Sequence, residues 1–185
     1  MDEIWKTVDE IPVYEVSNLG HVRRIGKTEP LVPTEAKGGA LFVTMTYDGE
    51  RYSRAIKGLV ARAFVPKPDN QDPDIFDTPV QCSLSMSNLR ADNIVWRPRW
   101  FAIAFRRHLH PSYYDQPRFT EVPVLNINTR TQHASILTAA LQDCVLMRDI
   151  YHSAGEGRPV FPTGHRYEFM WRIENDLMSV HHELV

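Results

Sequence analysis

Apolar and polar positions alternate through the first part of the chain. Val13-Tyr14-Glu15-Val16 and His21-Val22-Arg23-Arg24-Ile25 read as short strands on either side of a Ser17-Asn18-Leu19-Gly20 turn. Leu41–Tyr47 and Arg51–Ile56 are two further β-prone runs. They are joined by Asp48-Gly49, a dipeptide that tolerates positive φ and so marks a hairpin. The period changes at Lys57–Phe64, where Leu59, Val60 and Phe64 share one side with alanines between them; Pro66 and Pro68 stop that helix. Residues 65–79 are a connector rich in Pro and Asp. Arg99–His108 has helical spacing, with Pro98 suited to a first turn. After a loop over 110–118 the pattern changes. A strand (Val122–Ile127) and a turn (Asn128–Arg130) lead to two short helices, Ser135–Asp143 and Val145–His152, set close together as in a helix-turn-helix. A Gly/Pro loop (Ser153–Gly164) and a last strand (Arg166–Ile173) follow.

These elements predict an α+β chain. A small antiparallel sheet leads into a hairpin-and-helix core, and a compact C-terminal module of two helices and a short sheet follows. The boundary falls at 120/121, giving modules 1–120 and 121–185. Trp5, Tyr14, Val16, Leu59, Val60, Phe64 and Trp96 fall on the buried phase of the first module. Val124, Ile127, Leu137, Leu141, Leu146, Ile150, Phe169 and Trp171 do so in the second. No internal repeat is evident.

Composition adds limits more than direction. A chain of 185 residues buries a real core, as one domain or two small ones. No apolar run approaches the roughly 18 residues of a membrane span, and the start Met-Asp-Glu-Ile-Trp is not that of a signal peptide. Cys82 and Cys144 alone give no disulfide framework, so the expected compartment is a reducing cytoplasm.

Net charge is −2, which by itself gives no support to nucleic-acid binding. Its distribution says more. From Asn93 to Tyr114 there is no acid, while Arg97, Arg99, Arg106 and Arg107 are interleaved with Trp100, Phe101, Phe105, Tyr113 and Tyr114, and His108 and His110 follow the arginines. Cations beside flat rings suit a phosphate backbone. The same residues also suit an amphipathic helix with aromatics inward and arginines solvated. Residues 121–185 weigh the other way, with five Lys/Arg against eight Asp/Glu.

Asp69, Asp72, Asp74 and Asp77 in the proline-broken connector read as solvated rather than as a cation site. His108-Leu109-His110 and His181-His182-Glu183 lack the partners of a structural zinc site or a metalloprotease. No phosphate-binding loop, dinucleotide fingerprint or Gly-x-Ser-x-Gly elbow is present.

One long pattern is specific. Glu3-Ile4-Trp5-Lys6, then Tyr14-Glu15-Val16-Ser17-Asn18-Leu19-Gly20-His21-Val22-Arg23-Arg24, resembles the N-terminal NUMOD-type module of the HNH homing endonucleases of phages and introns. Lys57–Phe64 resembles the family's His-Arg-Leu-Val-Ala-x-x-Phe helix, with Lys57 where the histidine stands. Asn88 and the Asn93-Ile94-Val95-Trp96 ending resemble its Asn-rich loop and Asn-Leu-x-Trp close. Pro123–Ile127 through Tyr167–Trp171 resembles its C-terminal helix-turn-helix NUMOD-type module.

The resemblance implies a ββα-metal nuclease core binding double-stranded DNA, with an Asp-His pair on the first strand and an Asn on the following helix. A histidine activates water, and a divalent cation stabilises charge at phosphorus. Counted back from Trp96, the Asp position is Val80 and the His position is Gln81. Val cannot ligate a metal, and Gln cannot take a proton at neutral pH. Asn88 and Asn93 remain, and neither is a base.

Three readings stand. The first is a catalytically inactive, homing-endonuclease-like protein that binds double-stranded DNA, without cofactor. Its expected contacts are Arg23, Arg24, Arg97, Arg99, Arg106, Arg107 and Arg148, with Met147 and Tyr151 also near the bases. The second is a protein-interaction or structural role on the same scaffold, with a host or phage protein as partner. The third is a divergent endonuclease using Mg²⁺.

Overall fold

The computed structural model describes residues 2–69, 71–108 and 120–173. Contacts divide the chain into two compact units, Met1–Ala102 and Ile103–Val185. The division falls inside the helix Arg99–His108, upstream of the change of pattern at 120/121. The architecture is α+β, with small antiparallel sheets throughout. Among the described residues no helix is long and apolar enough to cross a membrane.

The first unit begins with β1 (Trp5–Thr7), β2 (Tyr14–Ser17) and β3 (Val22–Arg24), an antiparallel sheet in that order. A second sheet holds β4 (Thr34–Glu35), β5 (Leu41–Tyr47) and β6 (Glu50–Ala55). The β5–β6 hairpin turns at Asp48 and Gly49 with φ of 52° and 79°, both left-handed, as this two-residue connection requires. Alternation along β5 buries Val43 and Met45 and turns Thr44 and Thr46 outward.

Helix α1 (Ile56–Phe64) lays Ile56, Leu59, Val60 and Ala61 on the shared core. It stops at Val65, whose backbone is extended and whose carbonyl accepts the Trp96 indole N–H at 2.8 Å. A two-stranded hairpin, β7 (Thr78–Gln81) and β8 (Ile94–Arg97), leads into α2 (Arg99–His108). Tyr14, Val16, Leu59, Val60 and Trp96 are core as expected. Trp5 and Phe64 are only half-buried: Trp5 lies under the Arg23 guanidinium, and Phe64 is the last residue of its helix.

The second unit has its own core of Val124, Ile136, Ala139, Ala140, Val145, Met147, Ile150 and Tyr167. Strands β9 (Val124–Asn126), β10 (Thr131–His133) and β11 (Tyr167–Phe169) form a sheet in the order β10-β9-β11. Helix α3 (Ile136–Asp143) starts at a capping box, in which Ser135 Oγ accepts from Thr138 N and Thr138 Oγ1 accepts from Ser135 N. Left-handed Cys144 and two further residues connect it to α4 (Met147–Glu156), which ends on left-handed Gly157.

Leu137 and Leu141 are only half-buried, and two core expectations fail outright. Ile127 is 46% exposed, because strand alternation that buries Val124 also buries Asn126 and turns the next residue out. Trp171 is 51% exposed, because the strand expected over Arg166–Ile173 ends at Phe169 and turns helical, breaking the period of two.

Candidate nucleic-acid interface

The signature residues of the first unit are used to build it. Tyr14 Oη accepts from Thr46 N at 3.2 Å, joining the first sheet to the second. Ser17 Oγ accepts from Leu19 N and His21 N and so shapes the turn. Buried Asn18 takes Ile4 N on Oδ1 (2.8 Å) and gives Nδ2 to Asp2 O, while its own carbonyl accepts from Ala91 N at 2.8 Å. Gly20, at φ +93°, lies so close to Leu89 that a Cβ would stand 2.6 Å from Leu89 Cβ. Arg23 covers the Trp5 ring at 3.8 Å and pairs with Glu15. His21 Nδ1 meets Glu3 at 2.7 Å. Burial opposes ionisation of Glu3, but hydrogen bonds with His21 and Ser17 and the nearby Arg23 charge outweigh it, holding the carboxyl below its usual range.

The turn therefore docks on the loop between β7 and β8. That loop is braced from within the hairpin. Gln81, buried, donates from Nε2 to the carbonyls of Met86 and Asn88, both at 3.1 Å. Asn93 Nδ2 donates to the Asn88 carbonyl (2.7 Å) and to Ser83 Oγ (3.0 Å). Asn88 acts here through its carbonyl.

On the opposite hairpin face, Val80 stands across from Val95 and Thr78 across from Arg97, whose guanidinium lies 5.5 Å from the Phe101 ring centroid. This face carries two valines and an arginine. The sequence of α2 contains no Asp, Glu or Asn. This donor set does not fit a divalent cation at Val80 and Gln81: among the described side chains these two positions offer no carboxylate or imidazole, and Gln81 is held by backbone carbonyls through Nε2. Among the described residues no group of three His, Cys, Asp or Glu is arranged to hold a metal. In the connector Asp72 caps Asp74 N (2.9 Å), and Asp77 accepts from Thr78 Oγ1 (2.7 Å).

The arginines fall into two sets. Arg54 and Arg62 share Glu10 (2.8 and 3.4 Å), Arg90 pairs with Asp92 (3.0 Å), and Arg158 pairs with Glu156 (2.8 Å). Arg148, 75% exposed, reaches its neighbour Asp149 at 3.5 Å. Arg97, expected on the surface, is only 8% exposed and donates to the Trp96 carbonyl at 3.0 Å. In contrast Arg24, Arg51, Arg99, Arg106, Arg107, Arg130 and Arg166 are exposed and have no carboxylate partner among the described residues.

Sequence reasoning missed Arg51, Arg130 and Arg166. A local count of charge shows the acids beside Arg90, Arg148 and Arg158, but it has no means of seeing that distant Glu10 neutralises Arg54 and Arg62. Arg51 belongs to the outer face of the β4–β5–β6 sheet, with Thr46 opposite it and Thr44 opposite Ser53. A shallow groove of about 340 Å³ on this face is lined by Thr34, Ala36, Phe42, Thr44 and Ser53.

In the second unit a buried polar network fixes the end of α3. Asp143 accepts from Tyr167 Oη and from Asn126 Nδ2 (2.9 Å), and it lies 3.5 Å from Nε2 of buried His133. Burial first, and then the Asp143 carboxylate, push the Tyr167 phenol far above its ordinary value. The helix that follows, α4, buries Met147 and exposes Arg148, Tyr151 and His152. Met147 therefore belongs to the core, against the expectation of a groove contact. Tyr151 meets Phe169 edge-on at 5.7 Å, and Phe169 stacks on Trp171 at 5.8 Å. His110, Tyr113, Tyr114 and His181-His182-Glu183 lie outside the described residues, as does the side chain of His108.

Residues 3–56 match the family model of the NUMOD4 motif, from just before β1 to the first residue of α1. The chain is also similar to a solved structure of the HNH homing endonuclease I-HmuI, described as binding and cleaving DNA. That similarity has a TM-score of 0.47 and 16% identity, covering 90% of this chain and 97% of that one. No curated protein matches.

Proposed function

We propose that the protein is a double-stranded DNA-binding relative of the HNH homing endonucleases that does not cut. The segregation of its arginines carries the reading. Acids neutralise one set, and an exposed set is left whose natural partner is phosphate. The NUMOD4 match supports the same partner. The outer face of β5 and β6, rich in hydroxyls and carrying Arg51, has the dimensions of a ribbon that enters a major groove. The pair α3–α4 acts as a helix-turn-helix, with Arg148 and Tyr151 of α4 toward the bases.

The absence of cutting follows from the hairpin. Hydrolysis needs a base within about 3 Å of the water and a metal on a carboxylate. Val80 and Gln81 supply neither, so no cofactor is required for binding. A protein partner is the second reading, favoured by the exposed rings of Tyr151 and Trp171 beside Phe169.

Labelled duplex titrated at roughly 50 and 200 mM salt, with Mg²⁺ and supercoiled plasmid in parallel, tests both halves. Four phosphate contacts predict a loss of affinity on the order of 100-fold across that range. Absence of duplex binding at the lower salt removes the DNA reading. Mg²⁺-dependent nicking by pure protein removes the non-cleaving one.

A further inference from the structure

We propose that Arg130 and Arg166 form a phosphate clamp at one end of the second unit's sheet, gripping the backbone of duplex DNA independently of α4. The inference rests on the DNA-binding reading above. Asn126 faces Thr131 on one side and Tyr167 on the other, so all three strands reach the same level at this end. Beyond it the chain turns through Ile127–Arg130. Arg166 is tied into that turn by its backbone, donating from N to Asn128 Oδ1 at 2.8 Å and accepting at O from Ile127 N at 2.9 Å. Arg130 and Arg166 thus flank the end of β9 from β10 and β11, two strand spacings or about 10 Å apart at the backbone.

The turn is built without either guanidinium. Asn126 Oδ1 accepts from Asn128 N and Thr129 N, and Thr129 Oγ1 donates to Thr131 Oγ1 at 2.9 Å. Both arginine side chains are exposed and make no ion pair among the described residues. Arg130 also has φ +58°, the left-handed conformation that glycine or asparagine occupies at lower cost. The fold therefore neither uses this side chain nor favours its backbone. A cation in a disfavoured backbone position, with no ion pair among the described residues and a second such cation beside it, points to a ligand outside the chain.

Three of the eight acids of residues 121–185 are already engaged. Asp143 is occupied by Tyr167 and Asn126, Asp149 by Arg148, and Glu156 by His152 and Arg158. Two long planar donors that share one end of a sheet suit successive phosphodiester oxygens.

The test uses the full chain with a fluorescent duplex of mixed sequence, titrated between roughly 50 and 200 mM salt. Arg130→Gly and Arg166→Gln are compared with wild type, singly and together, and each is melted. Each variant should bind about 5- to 10-fold more weakly, with the slope of log K against log salt reduced by about 0.9 per lost contact. Arg130→Gly should melt at or above the wild-type temperature, because glycine relieves the left-handed position. That result separates contact from folding. Wild-type affinity and slope in the double variant overturn the clamp and leave the DNA-binding reading intact. Weakening without a change of slope also overturns it. If wild type binds no duplex, the DNA-binding reading fails and the clamp goes with it.

Discussion

Gly20→Ala is the sharpest perturbation of the first unit. At φ +93° an alanine adopts a backbone that costs about 1–2 kcal/mol for an L-residue. Its Cβ would also stand 2.6 Å from Leu89 Cβ and 3.3 Å from the Leu89 carbonyl oxygen, and contacts below 3.0 Å force a shift. Leu89 is buried, and its loop is tied to the turn by Ala91 N to Asn18 O at 2.8 Å, so relief means moving backbone. Overpacking of this kind costs about 1–3 kcal/mol more.

Gly26 provides the control. It has φ +80° but nothing within 4 Å of its missing Cβ, so Gly26→Ala pays the conformational part alone. Thermal melts followed by circular dichroism read the difference at roughly 4–8 °C per kcal/mol for a unit of this size. Equal losses in the two variants would refute the close docking of turn on loop. Leu89→Ala should not rescue Gly20→Ala, because the offending atom is the Cβ that alanine keeps.

Gln81→Ala removes both bonds to the Met86 and Asn88 carbonyls and should cost about 2 kcal/mol in chemical denaturation; an unshifted midpoint says the loop does not depend on it. Val80→Asp with Gln81→His should restore no Mg²⁺-dependent nicking of plasmid, since α2 supplies no Asn or carboxylate to complete the site; cleavage would show that the hairpin face still admits a cation. The raised Tyr167 phenol keeps its proton in the folded state, so its contribution is complete below 10.0 and is lost as pH climbs beyond it. Tyr167→Phe should flatten that alkaline arm of the melting curve. Glu10 is held low chiefly by its hydrogen bond from Arg54, so its contribution is present above 4.5 and lost as pH falls below it. At this half-exposed pair the effect is under about 1 kcal/mol, and Glu10→Gln should remove the dependence.

The periodic parts of the fold were legible. The Asp48-Gly49 hairpin, α1, α2 and the adjacent pair α3–α4 all follow from spacing and from the turn and proline signals beside them. Short strands such as β4 and β10 were not, because two or three residues carry no period, and partners distant in sequence define them. The mistaken Ile127 and Trp171 have separate causes, a buried Asn126 and a strand that ends at Phe169. Asn126 takes the buried phase because Asp143, His165 and Tyr167 satisfy it from distant elements, and no local pattern displays those partners. At the candidate site the missing Asp and His could be read directly. The sorting of arginines could not, since it depends on which acids lie within reach after folding. Arg97 shows the limit: its neighbours in sequence resemble a basic stripe, yet strand pairing opposite Thr78 turns it to the interior.

Gln81 also bears on the history of such a protein. A side chain that braces a loop through two backbone carbonyls is held in place by folding, whatever first put it there. A return to histidine at this position would first have to give up that brace, and it would gain nothing until Val80 changed as well. Each step back passes through a less stable molecule, while steps that refine the contacts of exposed arginines stay open. On the proposed reading, the loss of cutting acts as a ratchet, and later change runs toward recognition.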